Sequence, residues 1–169
     1  MPMNIDALTN NLSNPACSYM FEVLFPQIPG GGNAEDLEIR GFSSSIPGRG
    51  VGGINLPFKG TAGMKVPGKV KMDQSWKVAF REGTDASTFD SLYGWFQFIM
   101  NAKTGVGTPD PLTKTTIYLH CLDLEGNAWL KLKLVGCYIE TMDETPVSFE
   151  SEEVVVFNVT FSYDRWEKV

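Results

Sequence analysis

Residues 63–70 carry the spacing of a phosphate-binding loop. Their sequence, GMKVPGKV, matches the pattern G-x-x-x-x-G-K-[ST] at every position except the last. In that pattern the final hydroxyl group binds magnesium, and the side chain of Val70 cannot replace it. The pattern must also open a helix, whereas residues 71–80 alternate as a β-strand does. We therefore interpret the segment as a tight-turned loop and predict no nucleotide site.

A nucleophilic site would need a base, and the chain has one histidine, His120, next to Cys121. Both lie in a predicted strand, where neighbouring side chains point to opposite faces. The two residues therefore cannot form a Cys-His couple through adjacency. We interpret His120 as a structural or surface residue.

An acidic run near the carboxyl end could suggest a calcium site. The run consists of Asp143, Glu144, Glu150, Glu152 and Glu153. It lacks the Asp-x-Asp-x-Asp-Gly spacing of calcium-binding loops, so we interpret it as a solvated acidic loop. The sequence predicts no catalytic residue, no cofactor and no metal ligand, and we expect the chain not to be an enzyme.

Composition and charge exclude several classes of protein. The chain has 169 residues, 43% of them hydrophobic, and its 20 acidic and 14 basic residues give a net charge of −6. That charge has the wrong sign for tight binding to nucleic acid. We find no signal peptide and no apolar stretch of the ~20 residues that a membrane helix needs. Three cysteines without C-x-x-C spacing indicate reduced thiols in a cytoplasm.

Alternating apolar residues predict that most of the chain is β-structure. The predicted strands cover residues 19–27, 37–42 and 74–81, a hairpin over 115–124 and 128–140, and a closing strand over 153–163, where Val155, Phe157, Val159, Phe161 and Tyr163 face inward. Strands do not alternate with helices, so the sheet should be antiparallel. We predict a mainly β fold, an antiparallel sandwich or barrel with one packed helix.

That helix is predicted over residues 84–102. Thr84, Asp85 and Ser87 offer oxygens that could cap its first turn. The predicted core stripe, spaced at i, i+3 and i+4, comprises Phe89, Leu92, Tyr93, Phe96, Ile99 and Met100, with Trp95 and Phe98 beside it. We interpret the stripe as packing against the sheet.

Residues 47–69 are rich in glycine and proline and look like the least regular part of the chain. Apolar side chains interrupt the glycines: Ile54, Leu56, Phe58, Met64 and Val66. A solvated linker would be less apolar, so something should cover this segment. With catalysis unsupported, the segment and the many strand aromatics indicate surfaces that copies of the chain bury.

The order of these features resembles the tail tube proteins of contractile-tailed, T-even-like bacteriophages. The resemblance rests on Asn14-Pro15 before the strand at 18–23, on residues 65–70 leading to 76–80, on Arg81-Glu82-Gly83 before the helix with Trp95, and on the closing strand followed by Trp166-Glu167. It covers most of the chain from Pro15 onward.

The resemblance implies a structural virion protein. It implies one tail-tube domain over residues 1–169, with an N-terminal arm at 1–16 and an assembly loop at 47–69. Subunits of this family form hexameric rings whose strands close a shared β-barrel around a lumen, and the rings stack into the conduit for DNA ejection. Because the chain is acidic, we expect a lumen with more acidic than basic side chains that does not trap DNA.

The resemblance also implies partners and a location. The partners would be other copies of the chain, the tail sheath protein, the tape-measure protein inside the tube, and the baseplate and tail-terminator proteins. DNA would pass through without specific binding, and no membrane anchor is expected. The chain would reside in the virion tail after assembly in the cytoplasm of the host bacterium.

We predict that the assembly loop makes the contact between rings, because a long loop or hairpin at this place reaches the next ring in the resembling family. The contact residues would be Leu56, Phe58, Lys59, Met64, Lys65 and Val66. The alternative is a loop that folds back onto its own subunit, since apolar loop residues often cover their own core.

Two other functions remain open on the sequence alone. A type VI secretion-like tube protein would share the fold and the ring, and the neighbouring genes would distinguish it. A small β-sandwich module that binds a ligand would use the Gly/Pro-rich segment as its binding loop. Such a module can stay monomeric, whereas a tube protein forms rings or filaments, so a size measurement separates the two.

Overall fold

A computed structural model describes residues 15–110, 112–150 and 152–169. The described elements are β1 (Phe21–Leu24), α1 (Ala34–Arg40), β2 (Gly41–Ser44), β3 (Gly50–Phe58), β4 (Thr61–Lys71), β5 (Ser75–Arg81), α2 (Ser87–Ile99), β6 (Thr115–Leu122), β7 (Ala128–Met142), β8 (Val156–Ser162) and β9 (Arg165–Lys168). The predicted arm at 1–16 lies outside the described residues apart from Pro15 and Ala16. The prediction of a mainly β fold is confirmed.

The strands form one seven-stranded antiparallel sheet and one separate hairpin. Six strands follow the order β1-β6-β7-β8-β5-β2, β9 pairs with β7, and β3 pairs only with β4. Strand β7 is long enough to pair with strands in both halves of the sheet. Its first part pairs with β6 and β9, and its last part, from Tyr138 to Met142, pairs with β8.

The sheet changes direction within β7 at Gly136. This residue has φ 73°, in the left-handed region that favours glycine. A β-carbon at this position would also collide with the carboxylate of Asp164. The backbone N–H of Asp164 donates to the carbonyl of Val135 at 3.0 Å, which brings the chain from β8 back alongside β7. Glycine is therefore required at the corner by both conformation and space.

The core is built around the ring of Phe161. The rings of Phe25, Trp76, Phe80 and Trp95 surround it, with centroid distances between 5.7 and 6.4 Å. All five side chains are at most 1% exposed. Each such burial stabilises the fold by about 1.5–3 kcal/mol, and the edge-to-face pairing of Phe80 with Phe161 adds to this. Strands β1, β5 and β8 and helix α2 thus meet at one aromatic cluster.

The predicted strands other than the one over residues 37–42 are confirmed with shifted ends. The first, third and closing strands are shorter than predicted, and the 115–140 hairpin extends to Met142. Val155, predicted to face inward, is 38% exposed because it precedes β8, and Tyr19, within the first predicted strand, precedes β1 and is 68% exposed. Strand β9 was not predicted, since its four residues carry only one apolar side chain, Trp166.

The prediction of a strand over residues 37–42 is wrong, and so is the prediction of a single helix. Helix α1 occupies most of this segment, and β2 begins only at Gly41. Glu35 and Asp36 lie in its first turn and Arg40 in its last, the arrangement that favours a helix dipole. Leu37 alone is fully buried in this helix. One buried residue in seven gave too little periodicity to reveal a helix.

Helix α2 begins later than predicted and is not capped by Thr84, Asp85 or Ser87. Its N-cap residue is Ala86, with φ 56° and no side-chain hydrogen bond. The carboxylate of Glu82 takes over this role. It accepts hydrogen bonds from the backbone N–H of Phe89 at 2.7 Å and of Thr88 at 3.4 Å. A negative charge at a helix N-terminus is favourable, so the Arg-Glu-Gly motif supplies a cap from outside the helix.

Arg40 connects the two helices through the same carboxylate. Its guanidinium donates to Glu82 at 2.9 Å and to Asp85 at 2.7 Å. The hydrogen bond from Arg40 lowers the pKa of Asp85 to about 2. The end of α1 is thereby fixed against the start of α2.

The buried face of α2 is rotated from the predicted stripe. Thr88, Ser91, Leu92 and Trp95 are buried, and the indole N–H of Trp95 donates to the carbonyl of Thr113 at 3.1 Å. Three predicted core residues, Phe89, Tyr93 and Met100, are 38–60% exposed. Aromatic residues on both faces of the helix hid the true face. Among the described residues, no helix has the length and apolarity that crossing a membrane requires.

Candidate assembly surface

The segment predicted as an irregular loop is a regular β-hairpin. Strands β3 and β4 pair antiparallel from Gly50↔Lys71 to Phe58↔Thr61. Lys59 and Gly60 connect them, and Gly60 has φ 79°, which glycine adopts at little cost. The prediction of irregularity is wrong because the glycines lie within paired strands and are not confined to turns. We call residues 50–71 the assembly hairpin.

The assembly hairpin stands apart from the rest of the chain. It forms its own two-stranded sheet, and neither of its strands packs extensively on another described helix or strand. Two tryptophans hold the chain that leads into it. The indole of Trp76 donates to the carbonyl of Ser45 at 2.7 Å, and that of Trp166 donates to Gly48 at 3.3 Å. Within the part of the chain that the structure describes, the hairpin is held at its base and packs little along its length.

One face of the hairpin is apolar. Ile54 lies opposite Val66 and Leu56 lies opposite Met64, so these four side chains share a face. Ile54, Leu56 and Met64 are 45–61% exposed, and Phe58 near the tip is 73% exposed. Soluble monomers rarely expose large contiguous apolar patches, and such patches usually mark a binding surface. The face has the apolar character of a buried surface, yet no described helix or strand covers it.

Glycine in the hairpin strands allows close approach of the backbones. A β-carbon on Gly63 would lie 2.7 Å from the carbonyl oxygen of Leu56, and one on Gly53 would collide with the side chain of Lys65. Real β-carbons almost never come within 3.0 Å of another heavy atom. The pairing of β3 with β4 therefore depends on glycine at position 63, where the obstacle is backbone, whereas the flexible side chain of Lys65 could move away from a β-carbon on Gly53.

The hairpin region carries a concentrated positive charge. Residues 47–71 contain five of the fourteen basic residues and none of the twenty acidic ones: Arg49, Lys59, Lys65, Lys69 and Lys71. The region is thus +5 and the rest of the chain −11. None of these five side chains forms an ion pair among the described residues. The net charge of −6 conceals this asymmetry, which only the distribution of charges along the sequence reveals.

The structure separates the six predicted contact residues into two groups. Leu56, Met64 and Val66 share the apolar face, and Phe58 follows at its end. Lys65 lies opposite Asn55 on the other face, and Lys59 lies in the turn. The contact with a neighbouring ring stays a prediction.

The residues considered for chemistry are not assembled into a site. Residues 63–70 are extended within β4 and open no helix, so they also do not form the predicted tight-turned loop. The imidazole of His120 lies 2.8 Å from the carboxylate of Glu22, while Cys121 is buried on the opposite face. Burial raises the pKa of Cys137 to about 12. Within the described ranges, no three His, Cys, Asp or Glu residues group as metal ligands.

Solved structures of tube assemblies share this fold. A chain of the sheath–tube complex of the extracellular contractile injection system PVC is 17% identical, with a TM-score of 0.63, over 95% of this chain and 98% of that chain. A chain of the PVC sheath/tube terminator is 15% identical, with a TM-score of 0.69, over 92% and 96%. A chain of the SPP1 tail tube is 17% identical, with a TM-score of 0.50, over 91% and 78%.

Sequence comparison gives the family. No curated protein sequence matches the chain. The family model for phage tail tube proteins matches residues 11–169, which includes the assembly hairpin and every described strand. This family consists of structural tube proteins. The chain belongs to the phage tail tube protein family.

Proposed function

We propose that the chain is the tube subunit of a contractile phage tail and forms hexameric rings that stack into a conduit for DNA ejection. The observation that carries the proposal is the uncovered apolar face of the assembly hairpin. A side chain such as Phe58 or Leu56 gains about 1.5–3 kcal/mol on full burial. Each subunit of each ring would repeat that gain, which suits a contact that recurs from ring to ring along a polymer.

The open edges of the sheet support closure between subunits. Strands β1 and β2 are the two ends of the main sheet, and each pairs with a described strand on one side only. Exposed edges are prone to pair with other chains, and a closed barrel removes them. In a hexameric ring, strands of neighbouring subunits would continue one another around a shared lumen.

The proposed partners follow the assemblies in which similar folds occur. Solved neighbours come from a sheath–tube complex, a tube terminator and a baseplate of contractile injection systems. We assign this chain a sheath, a tail terminator and a baseplate as partners, with a tape-measure protein in the lumen. The chain would assemble in the host cytoplasm and remain in the virion tail. Outside the hairpin region its charge of −11 would disfavour DNA sticking to the wall.

The ring-to-ring contact is tested by adding charge to the apolar face. In the double variant Phe58→Asp with Met64→Asp, burial of the hairpin would place two carboxylates in an apolar contact without partners. We expect a folded subunit or single ring that forms no tubes in negative-stain micrographs. A matched control places the same two charges elsewhere, at the exposed Val106 and Leu124, and should form tubes. Normal tubes from the hairpin variant would refute the assignment.

A further inference from the structure

A second exposed surface complements the assembly hairpin in charge and in apolarity. It is the connection between β7 and β8, residues 143–155, which we call the acidic connection. It contains five acidic residues and no basic residue. It also exposes large apolar side chains: Val147 is 82% exposed, Val154 is 61% exposed, and Phe149 is fully exposed. A solvated acidic loop explains the charge and leaves these apolar side chains unexplained.

The acidic connection has a concave surface. A cleft of about 300 Å³ opens in it. Its lining is mixed, with apolar residues such as Pro146, Val147 and Val154 beside polar ones such as Ser148 and Glu153. The hydroxyl of Thr145 donates to the carbonyl of Val156 at 3.0 Å and ties the two ends of the connection together. The volume is at the lower end of the range for sites that hold small organic groups. It suits one or two apolar side chains.

The hairpin and the acidic connection lie at opposite ends of the same sheet. Strand β5 starts just after the hairpin at Ser75, opposite Ser162, and ends at Arg81, opposite Val156, where the acidic connection returns to the sheet. Seven residues of strand span roughly 20 Å. The base of the +5 hairpin region and the −5 acidic connection therefore lie at opposite ends of β5, and both segments present apolar side chains to solvent.

We infer that the assembly hairpin of one subunit docks on the acidic connection of a second copy in the adjacent ring. This inference rests on the proposed function and names the receptor of the ring-to-ring contact. Two different surfaces make a head-to-tail contact, and such a contact grows a filament when the rotation between neighbours does not close it into a ring. The +5 hairpin region meets a −5 segment, and like-charge repulsion disfavours hairpin-to-hairpin pairing.

The test is a charge exchange between the two surfaces. One variant reverses the hairpin with Lys59→Glu and Lys65→Glu. A second reverses the receptor with Glu150→Lys and Glu152→Lys, and a third combines all four changes. We expect each reversal alone to raise the critical concentration for tube formation about tenfold or more, and the combined variant to bring it back toward the wild-type value.

Controls separate a lost contact from a lost fold. Lys103→Glu with Lys168→Glu makes the same charge change outside the hairpin and should leave the critical concentration unchanged. Thermal unfolding reports whether each variant folds. Where a reversal prevents folding, the neutral pair Lys59→Gln with Lys65→Gln replaces it and should raise the critical concentration less than a reversal would.

The outcomes distinguish this inference from the proposed function. If wild-type protein forms no tubes under any condition, the proposed function fails. If wild-type protein forms tubes but the combined variant stays as defective as the single reversals, the hairpin has another receptor, such as the sheath or another part of the ring. Unchanged assembly by either folded reversal variant would equally overturn the pairing.

Discussion

Strands β5 and β3 carry the same kind of apolar pattern and end in opposite environments. In β5, Trp76, Val78 and Phe80 alternate and are at most 2% exposed. In β3, Ile54, Leu56 and Phe58 alternate and are 45–73% exposed. Period-two alternation predicts that one face of a strand will be buried. It does not say whether the covering surface comes from the same chain or from another copy.

The two regions should therefore respond differently to mutation. Changes in the body of the subunit, the sheet with its two helices, alter the free energy of unfolding and affect assembly only through it. Changes in the assembly hairpin alter assembly while the body stays folded, because the hairpin contributes little packing to the body. The predictions below test this separation.

The largest effect is expected from Phe161→Ala in the body. Phe161 is fully buried and contacts four aromatic rings, so its truncation leaves a cavity that the rigid cluster cannot fill. We expect a loss of about 3–5 kcal/mol in the free energy of unfolding, measured by denaturant titration of the unassembled subunit. Phe58→Ala is the matched hairpin control and should lose far less. Equal losses of unfolding free energy from Phe161→Ala and Phe58→Ala would contradict the expected difference between the body and the hairpin.

An intermediate effect, on assembly alone, is expected from Gly63→Ala. The added β-carbon would lie 2.7 Å from the carbonyl oxygen of Leu56 and force the hairpin strands apart. We expect a higher critical concentration for tubes, with the free energy of unfolding of the body changed by less than about 0.5 kcal/mol. Gly48→Ala, where a β-carbon meets nothing within 4 Å, should assemble normally. Normal assembly by Gly63→Ala would show that the hairpin geometry is not needed.

The smallest effect is expected from the ion pair between Arg40 and Asp85, which both belong to the body of the subunit. The pKa of Asp85 is lowered from 3.8 to about 2 by Arg40. A lowered pKa in the folded state gives stability that is complete above about pH 4 and is lost as the pH falls toward 2. We expect Asp85→Asn to reduce the fall in Tm over this range and to leave tube formation at neutral pH unchanged. In an Arg40→Gln background the same substitution should have no further effect, and identical pH profiles for wild type and Asp85→Asn would contradict the pairing.

Sequence predicted the strands of the body well and its helices less well. The strands carry alternating large apolar residues whose buried face is unambiguous, as in β5 and β8. Helix α1 buries one side chain fully, so its pattern was too short to distinguish from a strand. In α2, aromatic residues on both faces obscured the buried one. The cap from Glu82 could not be foreseen, because it depends on how the chain folds back before Ser87.

The contact role of the candidate surface stays a prediction, and the structure changes only its form. The apolar residues of the hairpin drew attention to this segment, whereas its many glycines indicated a loop. Their role as points of close backbone approach depends on the strand register, which the sequence does not display. The uneven distribution of charge was readable, since residues 47–71 contain no acidic residue. Its meaning depends on the acidic connection lying at the other end of the sheet.

Strand β7 has a mechanical consequence for a wall that must bear load. Because one continuous strand is bonded to β6 and β9 in its first part and to β8 in its last, the two halves of the sheet share a backbone. A force applied to either half is resisted by the hydrogen bonds of several strand pairs at once. The subunit should therefore not unfold one strand at a time under tension. In a polymer of such subunits, strain would fall on the contacts between them.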